Sequence, residues 1–240
     1  MAIDSPTVQG QTCYMCDEPE TSREHVPALC FFPETKDLPP GIDLRRNLFT
    51  VPSCDAHNSR KSQDDQYLWQ ILMMARGLNE CARLMMRTKV VRTVTRRPAL
   101  VTSLMRTANS AYVYDFHTGA WLPTALVTFD GARVETALEH FAHALYFWHF
   151  KARWVGLLRT LTNIARFSKD SANRENMRVY REVIRRTEAV MVAQPRFGEN
   201  QDAFYYQVVA TPDGSGAVML ATFYGGATVT CLFGAGQPGV

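Results

Sequence analysis

Two short pairs of metal-ligand residues stand in the first sixty residues of the chain. Cys13 and Cys16 form a CxxC pair, and Cys54 and His57 form a CxxH pair. Together they supply four soft ligands, the number and type that tetrahedral structural zinc requires. The stretch around them is rich in proline and offers few residues for a core of its own. We therefore expect these four side chains to bind one zinc ion, and the alternative is that they are buried without a metal.

Polar residues that a purely structural zinc site does not need lie beside the two pairs. They are Glu24, His25, Asn47, Asn58, Arg60 and Lys61. Their order resembles the HNH endonucleases, whose zinc-bearing members carry a CxxC pair, an acid–histidine pair opening a strand, and Asn-Leu in the next loop. In that family a second pair leads into the metal-binding helix. The resemblance covers about residues 12–66 and implies the ββα-metal fold.

The resemblance also implies a chemical role for individual residues. His25 would be the general base, and Asn47 would hold its other ring nitrogen or the local loop. Glu24 and Asn58 would bind one Mg²⁺ or Mn²⁺ ion through oxygen ligands, which hard cations prefer. The sequence departs from the family in having Glu24 where Asp is common, and Asn58 where His is frequent. Because the second pair ends in histidine, an alternative assigns His57 to the catalytic ion and leaves zinc with three cysteines.

Positively charged residues follow the second pair and predict contacts with phosphate groups. Beyond Arg60 and Lys61, Arg76, Arg83 and Arg87 recur at close to whole numbers of helical turns. A later stripe consists of Arg174, Arg178, Arg181 and Arg185. For both stripes the alternative is a solvated helix face paired with glutamates. His140 and His143 could also bind a metal, although an amphipathic helix face accounts for their spacing.

These features predict a metal-dependent HNH endonuclease that hydrolyses phosphodiester bonds, with DNA as the expected substrate and partner. A first alternative is a zinc-stabilised module that binds nucleic acid or a partner without catalysis. A second is a nuclease effector gated by its C-terminal region. That region is also where target choice or formation of a homodimer is expected.

Composition places the chain among globular proteins. Of its 240 residues, 46% are hydrophobic and 20% are charged, which excludes a disordered tail, a collagen-like fibre and a coiled coil. The net charge is +3, with an excess of acid in residues 1–58 and an excess of base in residues 59–110. No secretory signal or membrane-spanning stretch is visible, and six cysteines are too few for a disulfide scaffold. We expect a cytoplasmic protein without a membrane partner.

The periodicity of the sequence predicts an α+β fold with a helix and antiparallel-sheet region at its C-terminal end, and the resemblance implies a small zinc-stabilised ββα module before it. The module spans residues 1–66, with its helix running from about 62 to about 87, and residues 88–110 form a basic linker or extended segment. Residues 111–240 form the C-terminal region. The predicted strands are 24–28, 48–51, 111–116, 121–129, 204–210, 217–224 and 228–233. Helices are expected at 131–150, 152–167 and 171–192.

Overall fold

The structure of the protein is a computed structural model that describes residues 11–58, 61–75, 77–96, 106–115, 119–164 and 171–235. Helices and antiparallel sheets are mixed along the chain, which confirms the predicted α+β class. The strands are β1 (Ser22–Val26), β2 (Phe49–Ser53), β3 (Asn109–Asp115), β4 (Ala120–Leu126), β5 (Leu157–Thr162), β6 (Phe204–Ala210), β7 (Ala217–Phe223) and β8 (Ala227–Gly234). The α-helices are α1 (Asp55–Asn58), α2 (Lys61–Leu72), α3 (Glu80–Met85), α4 (Val91–Arg96), α5 (Gly131–Phe150) and α6 (Ser171–Met191). Within these described ranges, no helix is long and apolar enough to cross a membrane.

The N-terminal part has the strand–strand–helix order that the sequence predicts. β1 and β2 pair antiparallel, with Glu24 opposite Val51 and His25 opposite Thr50. Because successive side chains of a strand point to opposite faces, β1 turns Glu24 towards its buried side and Arg23 and His25 towards the other. The helices α1 and α2 come directly after β2 and meet the buried side of this hairpin.

The single helix predicted for residues 62–87 is wrong, because the chain forms two helices there. α2 ends at Leu72, and Gly77 adopts a positive φ of 73°, a conformation that interrupts a right-handed helix. Asn79 then begins α3, since its side chain accepts a hydrogen bond of 3.2 Å from the backbone N–H of Ala82. Glycine followed two residues later by an N-cap residue is the local signal for this break.

The extended segment predicted from residue 88 is helical as far as Arg96. A π-helical segment (Met86–Val90) leads into α4. The β-branched residues that favoured a strand are accommodated because threonine hydroxyls bond to carbonyls one turn earlier. Thr88 donates to Leu84 and Thr93 donates to Lys89, each at 2.8 Å. Residues 97–105 lie outside the described part of the chain.

The C-terminal region follows the prediction at the β3–β4 hairpin, at α5, at α6 and at β6, β7 and β8. The helix predicted at residues 152–167 is wrong, because Leu157–Thr162 forms the strand β5. β5 pairs with β8 and completes an antiparallel sheet in the order β5-β8-β7-β6. The free edge of β8 provides backbone partners that a sequence pattern over residues 152–167 cannot reveal.

The hydrophobic core crosses the predicted boundary between the N-terminal module and the C-terminal region. One cluster of buried side chains runs from Cys13 to Phe233. The ring of Phe31 packs against that of Phe223 at 5.1 Å between centroids, and the Phe49 ring stacks on Trp148 at 4.7 Å. Because α5 also packs against α2, β1 and β2, the C-terminal region supports the hairpin that carries the candidate site.

Candidate metal centre and active site

The four predicted zinc ligands converge where the β1–β2 hairpin meets α1. Cys13 and Cys16 lie in a tight turn that is closed by a 2.9 Å hydrogen bond from the Cys13 N–H to the Glu18 carbonyl. Cys54 directly follows β2, and His57 lies in α1. The backbone N–H of Tyr14 donates to the Pro52 carbonyl at 2.9 Å and ties the turn to β2. Pairing of the strands therefore brings the two halves of the ligand set together.

The spacing of the ligand atoms suits a tetrahedral metal ion. The Sγ atoms of Cys16 and Cys54 are 3.7 Å apart, and His57 Nδ1 is 3.5 Å from Cys16 Sγ. Zinc–sulfur and zinc–nitrogen bonds of usual length give tetrahedral edges of about 3.8 Å and about 3.5 Å. All four ligand atoms lie within 4.8 Å of one another. The cluster of Cys13, Cys16, Cys54 and His57 could thus hold a structural metal such as zinc.

The position of His57 contradicts its alternative assignment to a catalytic ion. Its Nδ1 lies 3.2 Å from Cys54 Sγ and 3.6 Å from Cys13 Sγ, so the imidazole completes the cysteine set. Burial raises the pKa of the Cys54 thiol, but hydrogen bonds from His57 and the other cysteines outweigh it and lower that pKa to about 7. Burial raises the pKa of Cys16 to about 11. Metal binding at neutral pH therefore displaces protons from the cluster.

Within the described part of the chain, His140 and His143 do not belong to a group of three or more metal-ligand residues. Among the described residues, the Cys/His cluster is the one place where three or more Cys, His, Asp or Glu side chains come close enough to bind a metal ion together. The His140 ring lies 5.8 Å from the His57 ring. Burial, together with the charges of Lys61 and His57, lowers the pKa of His140 to about 4. The histidine is therefore neutral and acts as a packing neighbour of the cluster.

The predicted general base, His25, lies half-buried on the face of the hairpin opposite to Glu24. Burial lowers its pKa, and the positive charge of Arg45 lowers it further, so the imidazole is neutral at pH 7 and can accept a proton. Arg23 lies two residues earlier on the same face, where its guanidinium donates to the Thr50 hydroxyl at 3.1 Å. Arg45 donates to the Phe32 carbonyl at 3.2 Å. The Arg45 charge therefore acts on His25, whereas the charge of Arg23 is partly offset by the Glu20 carboxylate, which lies 3.7 Å away.

Glu24 lies on the other face and is paired with Lys61. The Lys61 ammonium contacts the Glu24 carboxylate and lies 3.5 Å from Asp65 Oδ2. Exposed fractions are 7% for Glu24, 5% for Lys61 and 6% for Asp65. Burial lowers the pKa of Lys61, and the charge of Asp65 opposes this change. The predicted contact of Lys61 with phosphate is therefore wrong, because its charged end is enclosed between two carboxylates.

The two asparagines of the predicted site bond to residues other than His25. Asn58 donates from its side-chain nitrogen to the Ser22 hydroxyl at 2.7 Å. Asn47 has a φ of 51°, a left-handed conformation that asparagine tolerates better than most residues. Its side-chain nitrogen donates to Glu199 Oε2 at 2.6 Å. The amide that was predicted to orient the His25 ring thus links the loop before β2 to the segment before β6.

A divalent ion at Glu24 and Asn58 does not fit these side chains as they lie. The carboxylate that would be the anionic ligand already contacts an ammonium group, and like charges within a few ångströms repel strongly at a buried site. Within the described ranges, Glu24 belongs to no group of three or more Cys, His, Asp or Glu ligands, and its acidic neighbour Asp65 faces the same ammonium. The arrangement is that of a buried ion pair rather than that of an open magnesium site.

The other predicted nucleic-acid contacts have mixed outcomes. Arg60 and Arg76 lie outside the described residues. Arg83 and Arg87 are exposed one turn apart on α3 and the π-helical segment. Arg83 forms an ion pair of 2.7 Å with Glu80. Arg185 on α6 likewise pairs with Glu182 at 2.8 Å, so the later stripe is partly neutralised by neighbouring acids.

Four residues that shape the site were not singled out from the sequence. They are Arg23, Arg45, Asp65 and Glu199. The Lys61–Asp65 spacing of four residues was a readable signal of an ion pair within a helix. No local signal connects Glu199 to Asn47, because the contact joins residues far apart in the chain.

Comparison of the chain with protein-family models, with curated proteins and with solved structures gives no match.

Proposed function

We propose that the chain is an HNH-like endonuclease that hydrolyses phosphodiester bonds in nucleic acid, with DNA as its main substrate and His25 as the general base. The observation that carries the proposal is a half-buried His25 on a strand whose partner strand runs into a Cys/His metal cluster and a helix. The same strand–strand–helix order is implied by the resemblance. The proposal includes a cytoplasmic location, where the nuclease would encounter DNA.

The proposed reaction uses the neutral His25 ring to take a proton from a water molecule. The water oxygen forms a bond to phosphorus, the bond from phosphorus to the leaving oxygen breaks, and the leaving oxygen takes a proton from solvent. A lowered histidine pKa favours this role, since the base must be unprotonated at neutral pH.

Arg23 and Arg45 are the charged groups that this scheme uses beside His25. Arg23 shares the outer face of the hairpin, and the Arg45 charge acts on the His25 ring. The Arg45 guanidinium donates to the carbonyls of Leu29 and Phe32 at 3.4 and 3.2 Å, which holds it in position. Guanidinium groups stabilise negative charge on a pentacoordinate phosphorus. The Mg²⁺ or Mn²⁺ ion expected from the resemblance supplies no step here, because Glu24 is already paired.

The test is a nicking assay on supercoiled plasmid with wild-type, His25→Ala and His143→Ala proteins. His143→Ala is the matched control, since it removes a half-buried histidine from α5 rather than from the strand that carries His25. Each protein is assayed with Mg²⁺, with Mn²⁺ and in EDTA, and its zinc content and circular dichroism are measured afterwards. We expect His25→Ala to lose about 100-fold or more of the nicking rate, while His143→Ala retains it. Folded, metal-loaded His25→Ala protein that cuts like wild type would contradict the proposal.

A second candidate function is a zinc-stabilised module that binds nucleic acid without cutting it. Two observations favour it: the Glu24 carboxylate is enclosed with Lys61, and the Asn47 side chain bonds to Glu199. Fluorescence polarisation on the same plasmid sequence, as a labelled duplex, distinguishes the two. Binding by wild type and His25→Ala alike, with no nicking under any metal condition, would favour the second candidate.

The Asn47–Glu199 hydrogen bond also provides a route by which the C-terminal region could gate cutting. Nicking by the Glu199→Ala variant but not by wild type, or by wild type only after addition of a partner, would identify a gated effector. A homodimer formed through the C-terminal region remains part of the proposal and is tested by sedimentation velocity.

A further inference from the structure

A buried ionic trio lies between β1 and α2 and is not explained by the proposed reaction. It consists of Glu24, Lys61 and Asp65, and each of the three is more than nine-tenths buried. Lys61 is the first residue of α2, so its side chain crosses from the helix to the inner face of the hairpin. Asp65 lies one turn later on the same helix, with its Oδ2 3.5 Å from the ammonium nitrogen; burial raises the pKa of Asp65, and the Lys61 charge opposes this change.

The geometry of the trio places one positive charge between two negative ones. Buried charges are tolerated only when they are paired closely, and the Lys61 ammonium contacts Glu24 while remaining 3.5 Å from Asp65. Neither carboxylate oxygen of Glu24 forms a hydrogen bond within the described residues, so its contact with the Lys61 ammonium is an ion pair. The carboxylates thus face a cation that belongs to the chain itself.

We propose that the Lys61 ammonium is the resident cation of this site, taking the place at Glu24 that the resemblance assigns to Mg²⁺ or Mn²⁺. A divalent ion at the same carboxylate would have to displace the Lys61 ammonium, which is itself buried and paired with Glu24 and Asp65. The lysine therefore excludes the ion and at the same time fixes β1, and with it His25, to α2.

The charge of the side chain at position 61 determines whether the site can hold a divalent ion. A neutral side chain at position 61 leaves two buried carboxylates on facing elements with no cation between them. Such a pair of oxygen ligands is the chemistry that Mn²⁺ binds. Lys61→Met is therefore expected to convert the ion pair into a divalent-cation site.

The experiment is a Mn²⁺ titration of the full, zinc-loaded chain, followed by electron paramagnetic resonance of the free ion. The proteins are wild type, Glu24→Gln, Lys61→Met, and the double variant Lys61→Met/Glu24→Gln. Zinc content is measured in every sample, so that exchange at the Cys/His cluster is detected. The result does not depend on cleavage, so a failure of this inference and a failure of the proposed nuclease activity are distinguishable.

We expect wild type and Glu24→Gln to bind the same amount of Mn²⁺, because any Mn²⁺ that wild type binds is held by acidic residues other than Glu24. Lys61→Met is expected to bind about one additional ion per chain, and the double variant to lose it. One Mn²⁺ in wild type that disappears in Glu24→Gln would overturn the inference. A folded Lys61→Met protein with no additional ion would also overturn it. Should Lys61→Met fail to fold, the comparison of wild type with Glu24→Gln still decides the question.

Discussion

The side-chain nitrogen of Asn47 donates a 2.6 Å hydrogen bond to the Glu199 carboxylate. This contact joins the loop that precedes β2 to the segment that precedes β6, and a second hydrogen bond, from Asn200 to the Arg46 carbonyl at 3.0 Å, lies beside it. The C-terminal region therefore holds the loop from which Asn47 was predicted to act. Asn47 can therefore act on His25 in only two ways. Either this hydrogen bond breaks, or Asn47 acts through the backbone of its loop.

The Asn47–Glu199 contact is expected to contribute modestly to stability, because both side chains are near solvent. We expect Glu199→Ala to lower the free energy of unfolding by about 0.5–1 kcal/mol. A double-mutant cycle with Asn47→Ala, measured by urea denaturation, isolates the pair. Glu135→Ala is the matched control, since it removes an exposed glutamate from α5. Equal effects of Glu199→Ala in the presence and absence of Asn47 would show that the two residues are not coupled.

Loss of the metal ligands should unfold the N-terminal part of the chain. The cluster joins the turn before β1 to β2 and α1, and structural zinc contributes its binding energy directly to folding. We expect about one zinc per chain in wild type and a large loss of zinc in Cys16→Ser. Cys81→Ser, at a half-buried cysteine outside the cluster, should retain the metal. Zinc content and thermal denaturation of the three proteins provide the measurement.

The nuclease proposal predicts how cutting depends on pH. The pKa of His25 is lowered by burial and by Arg45, so the ring remains neutral until the pH falls below the ordinary histidine value of about 6.5. The nicking rate should therefore be constant near pH 7 and decrease only at lower pH, as His25 becomes protonated. Arg45→Gln removes the neighbouring positive charge, so the midpoint of this decrease should move to higher pH. A midpoint that Arg45→Gln leaves unchanged would count against His25 as the titrating group.

Only part of the fold and of the candidate site can be predicted from the sequence. The Cys/His cluster was predictable because each half has its ligands three residues apart, a spacing that one local turn satisfies. The end of α2 was missed although Gly77 and Asn79 are local signals, because the apolar periodicity continues beyond them. The pairing of Lys61 with Glu24 could not be predicted, because it depends on how α2 docks against β1. Strand alternation alone, however, already separates Glu24 from His25 onto opposite faces.

The arginine stripes predict different effects on nucleic-acid binding. Arg87 is exposed on the π-helical segment, whereas Arg185 is engaged with Glu182 at 2.8 Å. We expect Arg87→Ala to weaken duplex binding and to reduce the slope of log affinity against log salt by about 1. Arg185→Ala should have little effect, because its charge is already offset. Fluorescence polarisation over a range of salt concentrations measures both, and the reverse ranking would assign the phosphate contacts to α6 instead.

The buried trio predicts a large and specific effect of Lys61 on stability. Lys61→Met leaves Glu24 and Asp65 buried without their cation, and removing one partner of a buried ion pair typically lowers the free energy of unfolding by about 3–5 kcal/mol. The added substitution Glu24→Gln removes one of the uncompensated charges and should recover part of this loss. Arg83→Met is the control, because it breaks an exposed pair with Glu80 and should change stability by less than about 1 kcal/mol. Urea denaturation at pH 7 without added divalent ions provides the comparison, and similar effects of Lys61→Met and Arg83→Met would contradict a buried ionic trio.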